Sequence, residues 1–234
     1  MELCIIIPAK NEEVSLFTTI AEINNVLLGQ LNFNILIVND YSTDSTVLVL
    51  EELAKEHKHL NYISNANKPG VGNAIKFGLD IWKGDMVAIC MADASDSPYD
   101  VLKAYDCIAK GTYDCVFGSR FIVGASVVDY PTVKLFLNRV FNNLVEILTG
   151  NNYNDYTNIF KLYSRKSLEE IGPLISEGFS IGLEMSLKSF KSKLSIAVIP
   201  ISWRNRKFGT SKLDLIKNVK VYFSTLVSCL KNEK

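Results

Sequence analysis

A length of 234 residues, with 48% hydrophobic and 21% charged side chains, excludes collagen-like, linker-dominated and disordered chains. It leaves room for one large domain with a core of its own. Lys and Arg number 25, as do Asp and Glu, and a net charge of zero argues against a wholly basic nucleic-acid binder.

In chain order the sequence alternates two periods. LCIIIP is a continuous apolar run of the kind buried on both faces of a sheet. Asn11 is placed to cap a helix with Glu12 and Glu13 in its first turn, running to about Leu28, where Gly29 ends it. FNILIVND predicts a second strand, and Ser42 or Thr43 starts a helix carrying Val47, Leu50 and Leu53. LNYISN predicts a third strand. Gly70 to Gly72 turn the chain into a helix from about Asn73 to Trp82, and DMVAICMAD predicts a fourth strand. A helix bearing Val101, Leu102, Tyr105 and Ile108 leads to a fifth, DCVFGSR. Strand and helix in alternation mean an α/β fold, a mostly parallel sheet covered on both faces by crossover helices.

Beyond Arg120 the rhythm changes. A helix from about Val133 to Leu148 precedes the polar loop NNYNDYTN, the strand-like IFKLYS, a helix near Ile181 to Phe190 and the β-rich LSIAVIPISWR. From Leu213 to Leu230, Leu215, Val219, Tyr222, Phe223, Leu226 and Leu230 fall on one side of a helix, with Lys217, Lys220, Ser224 and Ser228 opposite. The stretch from Arg204 to Lys234 holds eight Lys or Arg against two Asp or Glu, a local charge of +6. Such a helix could lie on an anionic membrane surface, but the absence of Trp and only Lys217 and Lys220 as basic residues in its middle favour packing on the domain or on a second subunit. The expected organisation is a single domain over residues 1–212, then this helix and tail over 213–234.

No run approaches the roughly 18 to 20 apolar residues that span a bilayer. The start lacks the basic region of a signal peptide, and five cysteines without a close pair read as reduced thiols. A cytoplasmic protein, peripheral to a membrane at most, is expected. His57 and His59 lie in the polar EELAKEHKHL, and with no CxxC in the chain a zinc site is not expected.

Ligands of an open α/β sheet bind at the carboxyl ends of its strands. There the sequence places Pro8 to Glu12, Asn39 to Ser42, the loop Lys68-Pro69-Gly70-Val71-Gly72, Met91 to Asp96, and Gly118 to Arg120. Each piece has an ordinary structural use when taken singly. Asp40 and Ser42 are good turn and cap residues, and Asn11-Glu12-Glu13 is a plain helix start. A glycine-rich loop ahead of a helix is a turn, and is also how backbone amides approach phosphate. Asp93 and Asp96, leaving a buried strand, either cap a turn or bind a cation.

Taken together, IIIPAKNEE, IVNDYSTDST, NKPGVGNAIKFGL, MADASDSP, FGSRF and NDYTNIFKLYSR, in this order, resemble the family-2 glycosyltransferases of the GT-A fold, near the dolichyl-phosphate mannosyltransferase-like branch. GFSIGLEM and ISWRNRKFGTSK fit the same pattern, and the resemblance covers about residues 3 to 212. It implies transfer of a sugar from a nucleoside-diphosphate donor to a polyprenyl phosphate or a growing glycan, with inversion at the sugar carbon. It implies Pro8, Ala9, Glu12 and Asp40 around the base and ribose, and Lys68 and Gly72 near the nucleotide. Asp93 matches the last residue of the family's Asp-x-Asp signature, which holds a divalent cation against the diphosphate. Arg120, Lys161, Arg204 and Arg206 would bring positive charge to donor or acceptor phosphates, and Gly209, Ser211 and Lys212 match an acceptor-side G-x-S-K. Hard oxygen ligands favour Mg²⁺ or Mn²⁺, and a cation with Lys or Arg would stabilise charge on the departing diphosphate.

The sequence departs from the family pattern in three places. Met91 stands where the signature has its first Asp, leaving Asp93, Asp96 and the diphosphate to hold a cation. Ile159-Phe160-Lys161 stands where the family often has Gly-Phe-Arg, and Lys keeps the charge without the fork. No run matches the C-terminal membrane spans of some relatives. A lipid-phosphate acceptor is already an anion and needs no base. A sugar hydroxyl does need one, and Asp155 and Glu184 are then the candidates, with Glu184 equally readable as the partner of a basic side chain. Two other functions stay open. A sugar nucleotidyltransferase would want a Gly-, Arg- and Lys-bearing loop where PAKNEE stands, and a non-catalytic nucleotide-sugar binder is motivated by Met91.

Overall fold

The computed structural model describes residues 1–206 and 215–231. Its centre is β1 (Glu2–Ala9), paired in parallel with β2 (Asn32–Asn39) on one side and β4 (Met86–Ile89) on the other, while β3 (Leu60–Ser64) pairs with the far edge of β2. Successive side chains of a strand face opposite ways, and here both faces are covered. Leu3, Ile5, Ile7 and Ala9 share a core with α1 (Leu16–Leu27), α2 (Thr46–Glu56) and α4 (Pro98–Ala109). Cys4 and Ile6 share the opposite core with α3 (Val71–Ile81) and α7 (Ile181–Lys191). Two-sided burial is why LCIIIP has no polar alternation, and each fully buried Ile or Leu in it contributes about 1.5–3 kcal/mol.

Among the described residues the main sheet has seven strands in the order β3-β2-β1-β4-β7-β5-β8. One strand breaks the parallel pattern. β7 (Lys161–Ser164) runs antiparallel between β4 and β5 (Cys115–Ser119), and β8 (Ile196–Pro200) closes the far edge parallel to β5. The reversal brings the loop ahead of β7 to the edge where β1, β4 and β5 end. β6 (Ser126–Val128) and β9 (Ser202–Arg204) form a separate ribbon whose Trp203 bridges to Asp96.

Two helices start later than their sequence signals. α1 begins after Ser15 and α2 after Ser45. Asn11 caps no helix: its φ is 52°, its side-chain oxygen accepts the Thr43 N–H at 2.7 Å, and its own N–H donates to Ser42 Oγ at 2.9 Å. The Glu12 N–H donates to Thr46 Oγ1 at 2.9 Å, and Glu13 accepts the Ser45 N–H at 2.7 Å. Residues that read as two separate helix starts therefore stitch the β1–α1 loop to the β2–α2 loop, satisfying backbone donors that neither helix could.

α5 (Thr132–Thr149), α6 (Arg165–Glu170) and α8 (Leu215–Lys231) complete the described helices. α8 packs on the domain, with Leu226 buried and Phe141 of α5 meeting the rings of Tyr222 and Phe223 at 5.5 and 5.4 Å. No helix among the described residues is long and apolar enough to cross a membrane. The five cysteines are free thiols.

Candidate active site

β1 has β2 on one side and β4 on the other, so the crevice between the carboxyl ends of β1 and β4 is a topological switch point, where open α/β sheets take their ligands. Arg206 spans it. Its Nη2 donates to Asp93 Oδ2 at 2.8 Å, and its Nη1 lies 3.5 Å from Glu12 Oε1. The Ser15 hydroxyl donates to Glu12 Oε2 at 2.7 Å, and Asp93 Oδ1 accepts the Ser95 N–H at 3.2 Å. The backbone around the crevice is strained. Asn11, Tyr41 and Ala94, which follow β1, β2 and β4, have φ of 52°, 57° and 53°. Left-handed non-glycine residues cost about 1–2 kcal/mol each and gather at functional sites.

Beside Arg206 is a cleft of about 140 Å³ lined by Met91, Asp93, Asp96, Arg120, Lys134 and Trp203 among others. Asp96 Oδ2 accepts the Met91 N–H at 2.9 Å, and burial pushes the Asp96 carboxyl up to about 7. Burial works against the charge of Arg120, but Asp155 more than offsets it and holds the guanidinium above its usual range. Burial lowers the Lys134 amine below the usual lysine range, with Arg120 and Arg206 adding to the effect. Arg120, Lys134 and Arg206 bring positive charge to this cleft, and Asp93 and Asp96 in its wall, with Asp155 behind Arg120, set carboxyl groups beside them. Beside it is an apolar groove of about 200 Å³ between α5 and α8, whose wall includes Leu137, Val140, Phe141, Leu144 and Phe223. Tyr130, Lys134, Asn138, Thr157 and Tyr222 line both spaces.

The remaining expected site residues fall in several places. Pro8 and Ala9 are buried in β1. Asp40 is buried at the end of β2, and its two oxygens clasp the glycine loop, accepting the Gly70 N–H at 3.1 and 3.0 Å and the Asn65 amide at 2.9 Å. Gly72 is buried against the 176–178 backbone, where a Cβ would stand 2.5 Å from the Ser176 carbonyl oxygen, so close packing explains the glycine. Lys68 is exposed in the same loop. Ser211 and Lys212, with Gly209, lie outside the described residues.

Four of the expected residues lie outside the cleft or are held by partners of their own. Lys161 is buried beneath the rings of Phe117 and Tyr153, donates to the Asn158 carbonyl, and is not in the cleft; burial drives its amine down to about 7. Arg204 pairs with Glu22 and donates to the Ala94 carbonyl at 2.9 Å, facing a neighbouring depression instead. Asp155 is no free base: both its oxygens grip Arg120, at 2.8 Å to Nε and 2.7 Å to Nη2, and one also accepts the Arg120 N–H at 3.0 Å. Glu184 is fully buried, pairs with Lys188 at 2.8 Å and accepts the Ile175 and Ser176 N–H groups. Burial would raise its carboxyl, but those partners hold it below the usual range.

Lys134, Asn138, Tyr130 and Trp203 also line the cleft, beyond the residues expected from the sequence. Lys134 and Asn138 are one helical turn apart with Leu135, Phe136 and Leu137 between them, a polar pair on one face that marks a wall of something polar. The rings of Tyr130 and Trp203 lie 5.5 and 5.8 Å from the Arg120 guanidinium and could be placed only in three dimensions.

No group of three or more His, Cys, Asp or Glu among the described residues could hold a metal ion by itself. Asp93 offers a hard oxygen and already holds a cation, the Arg206 guanidinium, while the Met91 thioether adds no hard ligand. The position suits a divalent ion that draws its other ligands from a bound diphosphate.

Residues 4–172 match the sequence model of Glycosyl transferase family 2. Polyprenol monophosphomannose synthase of Mycolicibacterium smegmatis is 27% identical over 215 residues, covering 89% of this chain and 80% of that protein. Dolichol-phosphate mannosyltransferase of Pyrococcus furiosus is 27% identical over 217 residues, and this chain spans only 59% of its length. Glucosyl-3-phosphoglycerate synthase of Mycobacterium tuberculosis, solved with Mn²⁺, UDP and glucosyl-3-phosphoglycerate, matches with a TM-score of 0.76 over 97% of this chain and 79% of that one, at 17% identity. The last likeness is one of fold, and it is the GT-A fold expected from the sequence. With a switch-point crevice built on the family's strand-end motifs and the family match running through most of the chain, this protein belongs to glycosyl transferase family 2.

Proposed function

We propose that this glycosyltransferase carries a sugar from a nucleoside-diphosphate donor to a polyprenyl phosphate, working at the cytoplasmic face of a membrane. The observation that carries the reading is a shared wall. Lys134, Asn138, Tyr130 and Tyr222 line both the charged cleft and the apolar groove, as an acceptor with an anionic head and a hydrocarbon tail requires. Val133, Phe136 and Ile147 of α5 and Val221, Phe223 and Val227 of α8 are exposed, an apolar surface that a membrane would cover. The relatives named for polyprenol- and dolichol-phosphate mannosyl transfer favour that acceptor and point to mannose as the sugar.

In this reading the crevice of Glu12 and Asp93 receives the donor diphosphate. Asp93 would hold Mg²⁺ or Mn²⁺, the latter being bound with UDP in the fold neighbour. When bound, such an ion offsets charge on the departing diphosphate. Arg120 is held by Asp155 before any substrate arrives, so its field acts without reorganisation. Lys134 adds charge at the junction with the groove, where an acceptor phosphate would sit. A phosphate oxygen is already anionic and attacks without prior deprotonation, which agrees with both candidate bases being locked in ion pairs. The test is incubation of a nucleoside-diphosphate mannose with a short polyprenyl phosphate and, in parallel, with the matching polyprenol. Product from the phosphate alone is expected; product from the alcohol and none from the phosphate would overturn the reading.

A further inference from the structure

Arg206 sits on the oxygen that the donor's cation would need. Asp93 Oδ1 is engaged by the Ser95 N–H, and Oδ2 takes the guanidinium at 2.8 Å. The same guanidinium reaches across the crevice to Glu12, so it lies between the nucleoside end of the site and the diphosphate end. Two carboxylates facing each other repel unless a cation stands between them, and Arg206 is that cation here. The pair is partly hydrated, with side-chain exposures of 18% for Arg206 and 10% for Asp93. The chain leading to it is anchored, because Arg204 is pinned to Glu22 and the Asn205 N–H donates to the Val128 carbonyl at 3.0 Å. Leaving Asp93 therefore asks for movement of the Arg206 side chain, not of β9.

We propose that Arg206 is an exchangeable counter-cation: it neutralises Asp93 while the donor site is empty and gives up Oδ2 when a divalent ion enters with a nucleoside diphosphate. The exchange rests on the donor-site reading above. It makes the metal site self-limiting, since a free ion must displace a charge-assisted hydrogen bond, whereas an ion arriving with a diphosphate brings anionic oxygens on which the released guanidinium can close. Metal alone should bind poorly and metal with nucleotide well.

The test follows Mn²⁺ binding by the electron paramagnetic resonance of the free ion, first with Mn²⁺ alone and then with GDP or UDP. Arg206→Gln and Arg206→Met, each checked for an unchanged melting curve, should bind Mn²⁺ alone about tenfold more tightly than the wild type. Arg206→Lys, which keeps the charge, should stay within about threefold of it. Adding Asp93→Asn to Arg206→Gln should abolish the gain. If neither neutral variant gains Mn²⁺ affinity while Mn²⁺ still promotes nucleotide binding, the exchange is wrong and the donor site stands. If neither nucleotide binds to the wild type with or without Mn²⁺, the donor site itself is wrong and the exchange goes with it.

Discussion

Arg120 meets Asp155 at 2.7 Å and Arg206 meets Asp93 at 2.8 Å, yet the two pairs have different surroundings. The first is forked, with side-chain exposures of 9% and 0%, and three aromatic rings lie 5.4 to 5.8 Å from its guanidinium. In the second, Nη2 donates to Asp93, Glu12 shares the guanidinium, and the pair is partly hydrated. A forked, desolvated pair is fixed, because breaking it strands a charge away from water. A charge-assisted contact that keeps some hydration strands less charge when another cation takes its place. The contrast separates a fixed charge from an exchangeable one within one electrostatic neighbourhood, and it follows from neighbours more than from residue type.

The sharpest way to break the contrast is Asp155→Asn. With Arg120 left buried and unmatched, stability should fall by about 3–5 kcal/mol, or roughly 10 °C in Tm for a domain of this size. A calorimetric loss under about 1 kcal/mol would mean the pair is not sealed. Asp93→Asn should do the reverse, lowering kcat/KM at least about a hundredfold while moving Tm by less than about 2 °C. Glu184→Gln tests a second sealed carboxylate and should cost about 1–3 kcal/mol. Because the folded carboxyl lies below its ordinary value of 4.5, this contribution is full above that value and is lost as pH falls through the folded pKa. Urea melts of wild type and Glu184→Gln should therefore differ at neutral pH and converge in acid; a constant gap would contradict the assignment. Lys134→Ala should have the smallest effect, raising the acceptor KM about tenfold with donor binding unchanged, and an effect on the donor alone would move Lys134 out of the acceptor junction.

Much of this arrangement was legible in the sequence. Burial on both faces left LCIIIP without polar alternation, and the strand-end segments carried the family in their order. Polar residues were harder, because their partners lie far away in the chain. Asn11 reads as a cap until the Thr43 N–H, 32 residues on, is seen to take its side chain. Asp155 and Glu184 look like bases until Arg120 and Lys188 close on them. Lys161 carries a charge in any sequence reading, and only the fold reveals that it is buried beneath aromatic rings. The antiparallel β7 was equally hidden, since IFKLYS has the same composition whichever way it runs.

Calorimetric titration of a nucleoside diphosphate into wild type and Asp93→Asn, with and without Mn²⁺, asks most simply whether the crevice between β1 and β4 is the donor site. Binding that depends on Mn²⁺ in the wild type, disappears in Asp93→Asn and survives in Lys134→Ala is the expected result. Equal affinity in wild type and Asp93→Asn would place the nucleotide somewhere else.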